Sequence, residues 1–300
     1  PSAATTKIDP FLQYLSFIQA EFPVVVASIA FMFGAIIGSF LNVVVYRLPQ
    51  MIEKDWNQQA NEILGNDVQP DGQVFNLVLP NSHCPSCQNE IKPWENIPIL
   101  SYVFLKGKCA HCGTSISQRY PAVELLTGIL TVIIITVFGP TAMGLGACVL
   151  TWALIALSLI DYDTQLLPDN ITLPLMWLGL VVNYFSLITN LQDAFIGACL
   201  GYLSLWSVFH VFKFVTGKDG MGYGDFKLLA MLGAWLGWQL VPLIIILSSL
   251  AGAVIGGILI GFGRDKAKPL SFGPCLAVAG WIALIWGDQI TRSYLQFTGL

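Results

Sequence analysis

Stretches of about 20 apolar residues recur along the chain, and each is long enough for a helix to cross the hydrocarbon core of a bilayer. They lie at 24–46, 121–139, 142–160, 170–189, 194–213, 241–262 and 271–287, with a shorter stretch at 228–240. Only 11% of the 300 residues are charged, against about 25% in an ordinary soluble domain. The sequence therefore predicts an all-α, polytopic membrane protein with about eight transmembrane helices.

The positions of lysine and arginine predict the orientation of these helices. Twelve of the 14 basic residues fall in three alternate loops, whereas the connections at 139–141, 190–193 and 238–241 hold none. By the positive-inside rule the three basic loops are cytoplasmic, and both chain ends face the other side. A single helix over 228–262 would be about 50 Å long and would break this pattern. We therefore expect two helices, separated near Gly237 to Pro242.

Residues 47–120 are polar and are predicted to form a small cytoplasmic domain between the first span, 24–46, and a membrane domain at 121–290. No structure is assigned to the N-terminal segment 1–23 or to the tail 291–300. The domain begins with a plausible amphipathic helix that ends in turn residues at Gln69 to Gly72. A surface insertion is the simpler interpretation of this first part.

Four cysteines in the domain are spaced as in a zinc ribbon. Cys84 and Cys87, then Cys109 and Cys112, form two C-x2-C pairs separated by 21 residues. A cytosolic location disfavours a disulfide, because thiols there are kept reduced. Four thiolates leave no open coordination position, so the predicted zinc is structural. Four unligated thiols remain the alternative.

Two aspartates lie at the cytoplasmic edge of predicted spans. Asp161 directly follows the apolar run 142–160, and Asp225 opens the sixth span. An aspartate at a helix start commonly caps free N–H groups, which is the alternative for Asp225 and the prediction for Asp169. Asp161 instead lies at a helix C-terminus, where the helix dipole disfavours an anion. An acid tolerated there, near lipid, is a candidate functional residue.

If Asp161 and Asp225 meet, their chemistry follows from their charges. Two carboxylates about 3 Å apart cannot both ionise and therefore share one proton. The ionised member can take a proton from water while the protonated member polarises a carbonyl. Such a pair would hydrolyse an amide without a metal ion.

Three glycines precede Asp225 at positions 220, 222 and 224. We expect them to allow positive φ angles and the close approach of an extended substrate, with a flexible connector as the alternative. Their spacing does not match a dinucleotide-binding loop. Lys227 is expected either to stabilise a charge at the site or to anchor its helix at the membrane surface.

Several motifs together resemble those of the bacterial type IV prepilin peptidases. They are the Gly-x-Gly-Asp at 222–225, Asp161 with LLPDN after it, the paired C-x2-C motifs, NIPILSY at 96–102, RYPAVE at 119–124 and GSFLNVVVYRLP at 38–49. The resemblance implies a multi-pass protein of the bacterial inner membrane, with Asp161 and Asp225 as the catalytic pair of an aspartyl protease. From the residues themselves, Gly222, Gly224 and Lys227 are expected to lie near the substrate.

The same resemblance implies the substrates and a second activity. Members of the family remove the basic leader of type IV prepilins and of type II secretion pseudopilins, after a glycine and before a hydrophobic residue, usually phenylalanine. Most members with the cysteine module then methylate the new N-terminus with S-adenosylmethionine. The implied methyl-donor site lies around Glu95, Asn96, Lys106 and Gly107. The implied partners are these substrates and the lipid bilayer, with no nucleic acid.

Two other classes of function fit the sequence. A proton-coupled transporter with a regulatory zinc-binding domain would use membrane acids as a relay. A membrane scaffold would bind partners through the metal module, with the acids as helix caps. Glycines four residues apart predict close helix packing; they are the pairs 34 and 38, 197 and 201, 233 and 237, 252 and 256, and 257 and 261.

Overall fold

A computed structural model describes residues 18–65, 75–262 and 271–298. These residues fall into two compact units. The first unit is drawn from residues 1–44 and 70–152, and the second from residues 45–69 and 153–300. The predicted turn at Gln69 to Gly72 lies outside the described residues.

Helices make up most of the described chain. They are α1 Pro23–Leu64, α2 Leu100–Phe104, α3 Arg119–Phe138, α4 Ala142–Thr164, α5 Asp169–Tyr184, α6 Leu191–Thr216, α7 Tyr223–Leu236, α8 Val241–Gly261 and α9 Gly273–Thr298, with 3-10 turns at Pro93–Asn96 and Trp238–Leu240. The described residues contain no strand, and their isolated antiparallel bridges join His83 to Glu90 and Lys108 to Ser115. The all-α prediction is confirmed.

Six of the described helical segments are long and apolar enough to cross a membrane, which makes the chain a multi-pass membrane protein. The predicted break near Gly237 is also confirmed, since α7 ends at Leu236 and Gly237 has a φ of 85°. The helices α5 and α7 have 16 and 14 residues. At 1.5 Å per residue they are about 24 and 21 Å long, too short to cross a core of about 30 Å alone.

Three helices cross the boundaries that the sequence suggested for its segments. The helix α1 continues through residue 46 to Leu64, and α3 already begins at Arg119. The last helix, α9, extends beyond residue 290 to Thr298. The division into an N-terminal segment, a soluble domain and a peptidase domain stays a prediction.

The short helix α7 is the core of the second unit. All of its residues from Asp225 to Leu236 are buried except Lys227, and it packs against α5, α6 and α9. The buried Asn183 of α5 holds its C-terminal end, where the Asn183 Nδ2 donates to the carbonyl oxygens of Ala234 and Trp235 at 2.9 Å. These carbonyls belong to the last turn, whose acceptors have no partner within the helix. The side chain thereby fixes α7 to α5.

Glycine packing brings α6 and α7 together. A Cβ on Gly197 or on Gly233 would collide with backbone atoms of the other residue's helix, including the opposing glycine carbonyl. In the first unit, a Cβ on Gly38 would lie 2.7 Å from the Cα of Glu124. Close packing is therefore confirmed at these positions, whereas a Cβ on Gly257 or Gly261 meets nothing within 4 Å.

We predict that Gly233→Ala destabilises the second unit. The new methyl group must push α6 and α7 apart, and overpacking of this kind costs about 1–3 kcal/mol or more. Thermal unfolding of the purified protein in detergent measures the effect. Gly257→Ala is the matched control because its methyl group enters open space. Equal unfolding temperatures for the two variants would contradict the packing assignment.

Candidate active site and metal centre

The second unit contains a cavity of about 1170 Å³ that both Asp161 and Asp225 line. The loop after α4, the glycine-rich segment before α7 and residues of α1, α8 and the segment before α9 complete its walls. The structure therefore brings the two aspartates, 64 positions apart in the numbering, to one cavity. Acids that meet at one site are the arrangement expected for a shared proton rather than for a relay across the membrane.

Asp161 lies in the last turn of α4 and is only 5% exposed. Its Oδ2 accepts a hydrogen bond of 3.0 Å from the backbone N–H of Gly273, the first residue of α9. The Ser271 hydroxyl donates to the Asp161 carbonyl oxygen at 2.9 Å. The dipole of its own helix disfavours a negative charge here, but the N-terminus of α9 favours it. This contact explains how the acid is tolerated at a helix C-terminus.

Asp225 is the third residue of α7 and is 7% exposed. Its carboxylate lies close enough to Asp161 for an electrostatic interaction and also contacts the backbone N–H of Gly222. Gly222 is the N-cap residue of α7. Asp225 therefore does not occupy the cap position, and no side-chain cap bond is present there, which contradicts the helix-cap alternative for Asp225.

The glycines before Asp225 do not have the conformation expected for them. Gly222 has a φ of −83°, and Gly220 and Gly224 are absent from the glycines with positive φ in the described chain. The positive-φ prediction was wrong. Gly224 instead permits close packing, since a Cβ there would lie 2.8 Å from the Cβ of Leu167. Gly220 is similar, with its Cβ position 2.8 Å from the Phe212 ring.

Lys227 and Asp169 form an ion pair at the cavity. The Lys227 Nζ lies 2.8 and 2.7 Å from the two carboxylate oxygens of Asp169. Pro168, rather than Asp169, is the N-cap residue of α5, and no side-chain cap bond is present there. The prediction that Asp169 caps α5 was therefore wrong. Lys227 joins the start of α5 to α7, 58 residues away in the sequence.

The four cysteines of the first unit form one cluster. Their sulfur atoms all lie within 4.8 Å of one another, with 3.8 Å between Cys84 and Cys112 and 4.0 Å between Cys87 and Cys109. A tetrahedral zinc ion with Zn–S bonds of about 2.3 Å separates its sulfurs by about 3.8 Å. The cluster therefore fits a zinc ion, and His83 and His111 are not part of it.

The two halves of the cluster have the same backbone hydrogen bonds. The Cys84 N–H donates to the Asn89 carbonyl and the Gln88 N–H to the Cys84 carbonyl. The Cys109 N–H likewise donates to the Thr114 carbonyl, and the Gly113 N–H to that of Cys109. Gln88 and Gly113, at matching positions, both have positive φ. Two equivalent turns thus present two thiols each.

Neighbouring groups favour the thiolate form of two of these cysteines. The hydroxyl and backbone N–H of Thr114 lower the pKa of Cys112 to about 6. The backbone N–H groups of Cys87 and Ser86 lower the pKa of Cys84 from its usual value. The backbone N–H of Asn89 lowers the pKa of Cys87, but burial and the neighbouring thiols act in the opposite direction and raise it to about 11. Because a thiolate is the form that binds a metal ion, it is the backbone N–H groups of the two turns that favour ligation.

Two of the four residues implied for a methyl-donor site have local structural roles. The Glu95 carboxylate accepts the N–H of Lys92 at 3.2 Å and closes a 3-10 turn. Gly107 has a φ of 67°, and a Cβ there would lie 2.8 Å from the Tyr102 hydroxyl. Asn96 and Lys106 have exposed side chains. The methyl-donor site at these positions stays a prediction.

Sequence reasoning missed two contributors to the site. Gly273 and Ser271 hold Asp161, although they lie more than 100 residues away. The only local signal was a serine and a glycine at the start of the last apolar run, 271–287. The residues of α1 that line the cavity were missed too, because the first part of the 47–120 domain was interpreted as a surface insertion.

Comparisons with known proteins identify the family. Residues 32–138 match the family model described as the bacterial peptidase A24 N-terminal domain, and residues 148–257 match the type IV leader peptidase family. The chain is 56% identical over 291 residues to a prepilin leader peptidase/N-methyltransferase of Pseudomonas aeruginosa, covering 97% of this chain and 99% of the relative.

Proteins with the same name from two other bacteria are nearly as similar. The Stutzerimonas stutzeri protein is 54% identical, over 94% of this chain and 98% of its own, and the Pseudomonas putida protein is 51% identical over 92% and 96%. No solved structure matches the chain. With both family models matched in series and identities above half over nearly the whole length, the chain belongs to the type IV leader peptidase family.

Proposed function

We propose that the chain is an aspartyl endopeptidase that removes the leader peptide of type IV prepilins and then methylates the new N-terminus. The observation that carries the proposal is the pair of buried carboxylates, from α4 and α7, on one cavity of a multi-pass membrane protein. The names of relatives that match over nearly the full length support both activities.

Asp161 and Asp225 differ in their hydrogen-bond partners, which supports different roles. Asp161 accepts the Gly273 N–H at the N-terminus of α9, and both the bond and the helix dipole favour its ionised form. Asp225 lies beside that charge, which disfavours a second ionised carboxylate, so we assign the shared proton to Asp225. Asp161 is then the general base and Asp225 the general acid.

The proposed reaction uses one water molecule. Asp161 takes a proton from the water, whose oxygen bonds to the carbonyl carbon of the scissile peptide, while Asp225 donates its proton to the carbonyl oxygen. The tetrahedral intermediate then loses its C–N bond as the amine receives a proton from Asp161, and a hydroxyl group of the intermediate returns its proton to Asp225. The products are a carboxyl-terminated leader and a free N-terminus.

The side of the membrane follows from the charge distribution of the sequence. Asp225 follows a lysine-containing loop, which the positive-inside rule assigns to the cytoplasm, and Asp161 ends a span whose other end joins the uncharged connection 139–141, so the rule places both acids on the same side. We therefore place the cavity and the cysteine cluster on the cytoplasmic face of the bacterial inner membrane. Pseudopilins of type II secretion, with the same kind of leader, belong to the proposed substrates.

For the methylation, the proposed donor is S-adenosylmethionine. The support for it is the N-methyltransferase name of the relatives. The described contacts of Glu95 and Gly107 are those of a turn and of close packing. We derive no step through the donor from them.

The proposed zinc ion has a structural role. Cys84, Cys87, Cys109 and Cys112 would hold it, and with all four positions filled by thiolates it has no site for a substrate. The ion would join two equivalent turns in a part of the chain where the described residues form no strand and only short helices. Its contribution is to the stability of this module.

Removing either carboxylate tests the catalytic pair. We expect Asp161→Asn and Asp225→Asn each to slow leader removal by at least about 1000-fold, because each takes away one half of an acid–base pair. Electrophoretic assay of prepilin cleavage measures the rate. Methylation of an already trimmed pilin serves as the folding control and should continue. Normal cleavage by either variant would contradict the assignment.

The contact between Asp161 and Gly273 gives a second test. In Gly273→Ala the new Cβ would lie 2.7 Å from the Asp161 Oδ2, so the carboxylate must move. A displacement near 1 Å at a catalytic group can cost about 100-fold, and we expect kcat to fall by about 10- to 100-fold. Gly257→Ala, whose methyl group meets nothing within 4 Å, should keep normal kcat. A Gly273→Ala enzyme with normal kcat would rule out this positioning role.

The metal proposal is tested by elemental analysis of purified protein. Cys84→Ser and Cys109→Ser should each lower bound zinc from about one ion per chain to nearly none, since a site with three thiolates binds more weakly. Cys199→Ser is the matched control, because Cys199 lies outside the cluster. Unchanged zinc in the two cluster variants would overturn the proposal.

A further inference from the structure

The part of α1 that continues past the predicted first span forms a wall of the cavity. We call residues 47–64 the α1 extension; it belongs to the same compact unit as the cavity. Four of its residues line the cavity with the two aspartates: Ile52, Asp55, Trp56 and Gln59. The spacing i, i+3, i+4, i+7 places them on one face of the helix. One continuous helical face therefore fronts the candidate active site.

This wall combines an indole ring with a carboxylate. Trp56 is 56% exposed although it faces a cavity, and Asp55, its neighbour on the same face, is also exposed. An indole ring and a carboxylate together can hold a cationic side chain, through a cation–π contact and an ion pair. The wall is therefore suited to a positively charged ligand group.

The charges of the other lining residues single out Asp55. Asp169 is paired with Lys227 at 2.7 Å, and Asp219 is paired with Lys213 at 2.8 Å. Asp161 and Asp225 are the candidate acid–base pair. Of the five aspartates that line the cavity among residues 18–65, 75–262 and 271–298, Asp55 is thus the one whose charge is left for a ligand.

The size of the cavity indicates a ligand of several residues. Its volume of about 1170 Å³ exceeds the range of about 300–1000 Å³ that is usual for pockets holding drug-sized molecules. A water molecule and one peptide bond at the aspartates would occupy a small part of it. Asp225, which is more than nine-tenths buried, also lines the cavity. A buried acid on the wall marks the cavity as a ligand site, independently of the charged residues on its exposed surface.

We propose that the α1 extension is the subsite for the segment on the leader side of the scissile bond, with Asp55 pairing with a cationic side chain and Trp56 packing over its stem. This inference rests on the proposed peptidase function. It assigns substrate selection to residues that neither touch the scissile bond nor belong to the cysteine module. The extension thereby becomes part of the peptidase site.

Steady-state cleavage of two matched prepilin peptides by the full-length protein tests the proposal. One peptide has its lysines and arginines in the leader, and in the other they are replaced by glutamine. For the cationic peptide, Asp55→Asn should raise KM by about 1.5- to fivefold with kcat unchanged, the range for an exposed ion pair. The effect should fade at high ionic strength, because exposed charges are screened. For the glutamine peptide the variant should match the unmodified enzyme.

Glu53→Gln is the matched control, since Glu53 is an exposed acid on the same helix that does not line the cavity. It should change KM for neither peptide. Charge reversal adds a gain-of-function readout: Asp55→Lys should prefer a peptide whose leader carries glutamates over the cationic one. Trp56→Ala should raise KM for the cationic peptide. Trp56→Phe, which keeps an aromatic ring, should have a KM close to that of the unmodified enzyme.

The outcomes separate this inference from the proposed function. If the unmodified enzyme cleaves both peptides and Asp55→Asn behaves like Glu53→Gln, the subsite is wrong and the peptidase function stands. An equal rise of KM for both peptides in Asp55→Asn would indicate a structural role and would also overturn the subsite. If the unmodified enzyme cleaves neither peptide, the function itself fails, and the subsite with it.

Discussion

The hydrogen bond from the Gly273 N–H to Asp161 is the contact on which the candidate site depends. A carboxylate that is 5% exposed at the C-terminal end of a membrane helix is opposed by desolvation and by its own helix dipole. The N-terminus of α9 supplies the opposing dipole and a donor. Because the same helix packs against α7, the position of Asp161 relative to Asp225 follows from the packing of three helices rather than from a loop.

Patterns local in the sequence predicted the fold well. The apolar stretches predicted the helices, and their interruption at Gly237 predicted the break between α7 and α8. The cysteine spacing predicted the cluster. Each of these signals lies within a few turns of one helix or within two short motifs. The aspartate pair was predictable as a hypothesis because both acids adjoin apolar runs on the same side. The comparisons confirm the family, while the residue roles remain proposals.

Contacts between distant residues were not predictable from one sequence. Asp169 has the local pattern of a helix cap, but Lys227 binds its carboxylate from 58 residues away. The glycines before Asp225 have the pattern of a turn with positive φ, whereas the requirement at Gly224 is the proximity of Leu167. In the same way, the polar residues of the α1 extension have the pattern of a surface insertion, whereas four residues of this extension line the cavity. The errors share one cause, since residue type does not reveal the partner.

The near-complete burial of α7 has a consequence for how a peptide reaches Asp225. A helix enclosed by α5, α6 and α9, with a glycine contact to α6 and an asparagine holding its last carbonyls, cannot shift sideways without repacking its neighbours. The substrate, rather than α7, must then change its conformation for a peptide bond to reach Asp225. Because carbonyls inside an α-helix are bonded to amides four residues onward, any helical segment that enters must locally unwind before water can attack it. The ease with which a peptide frays beside its cleavage point would therefore be part of what the enzyme recognises.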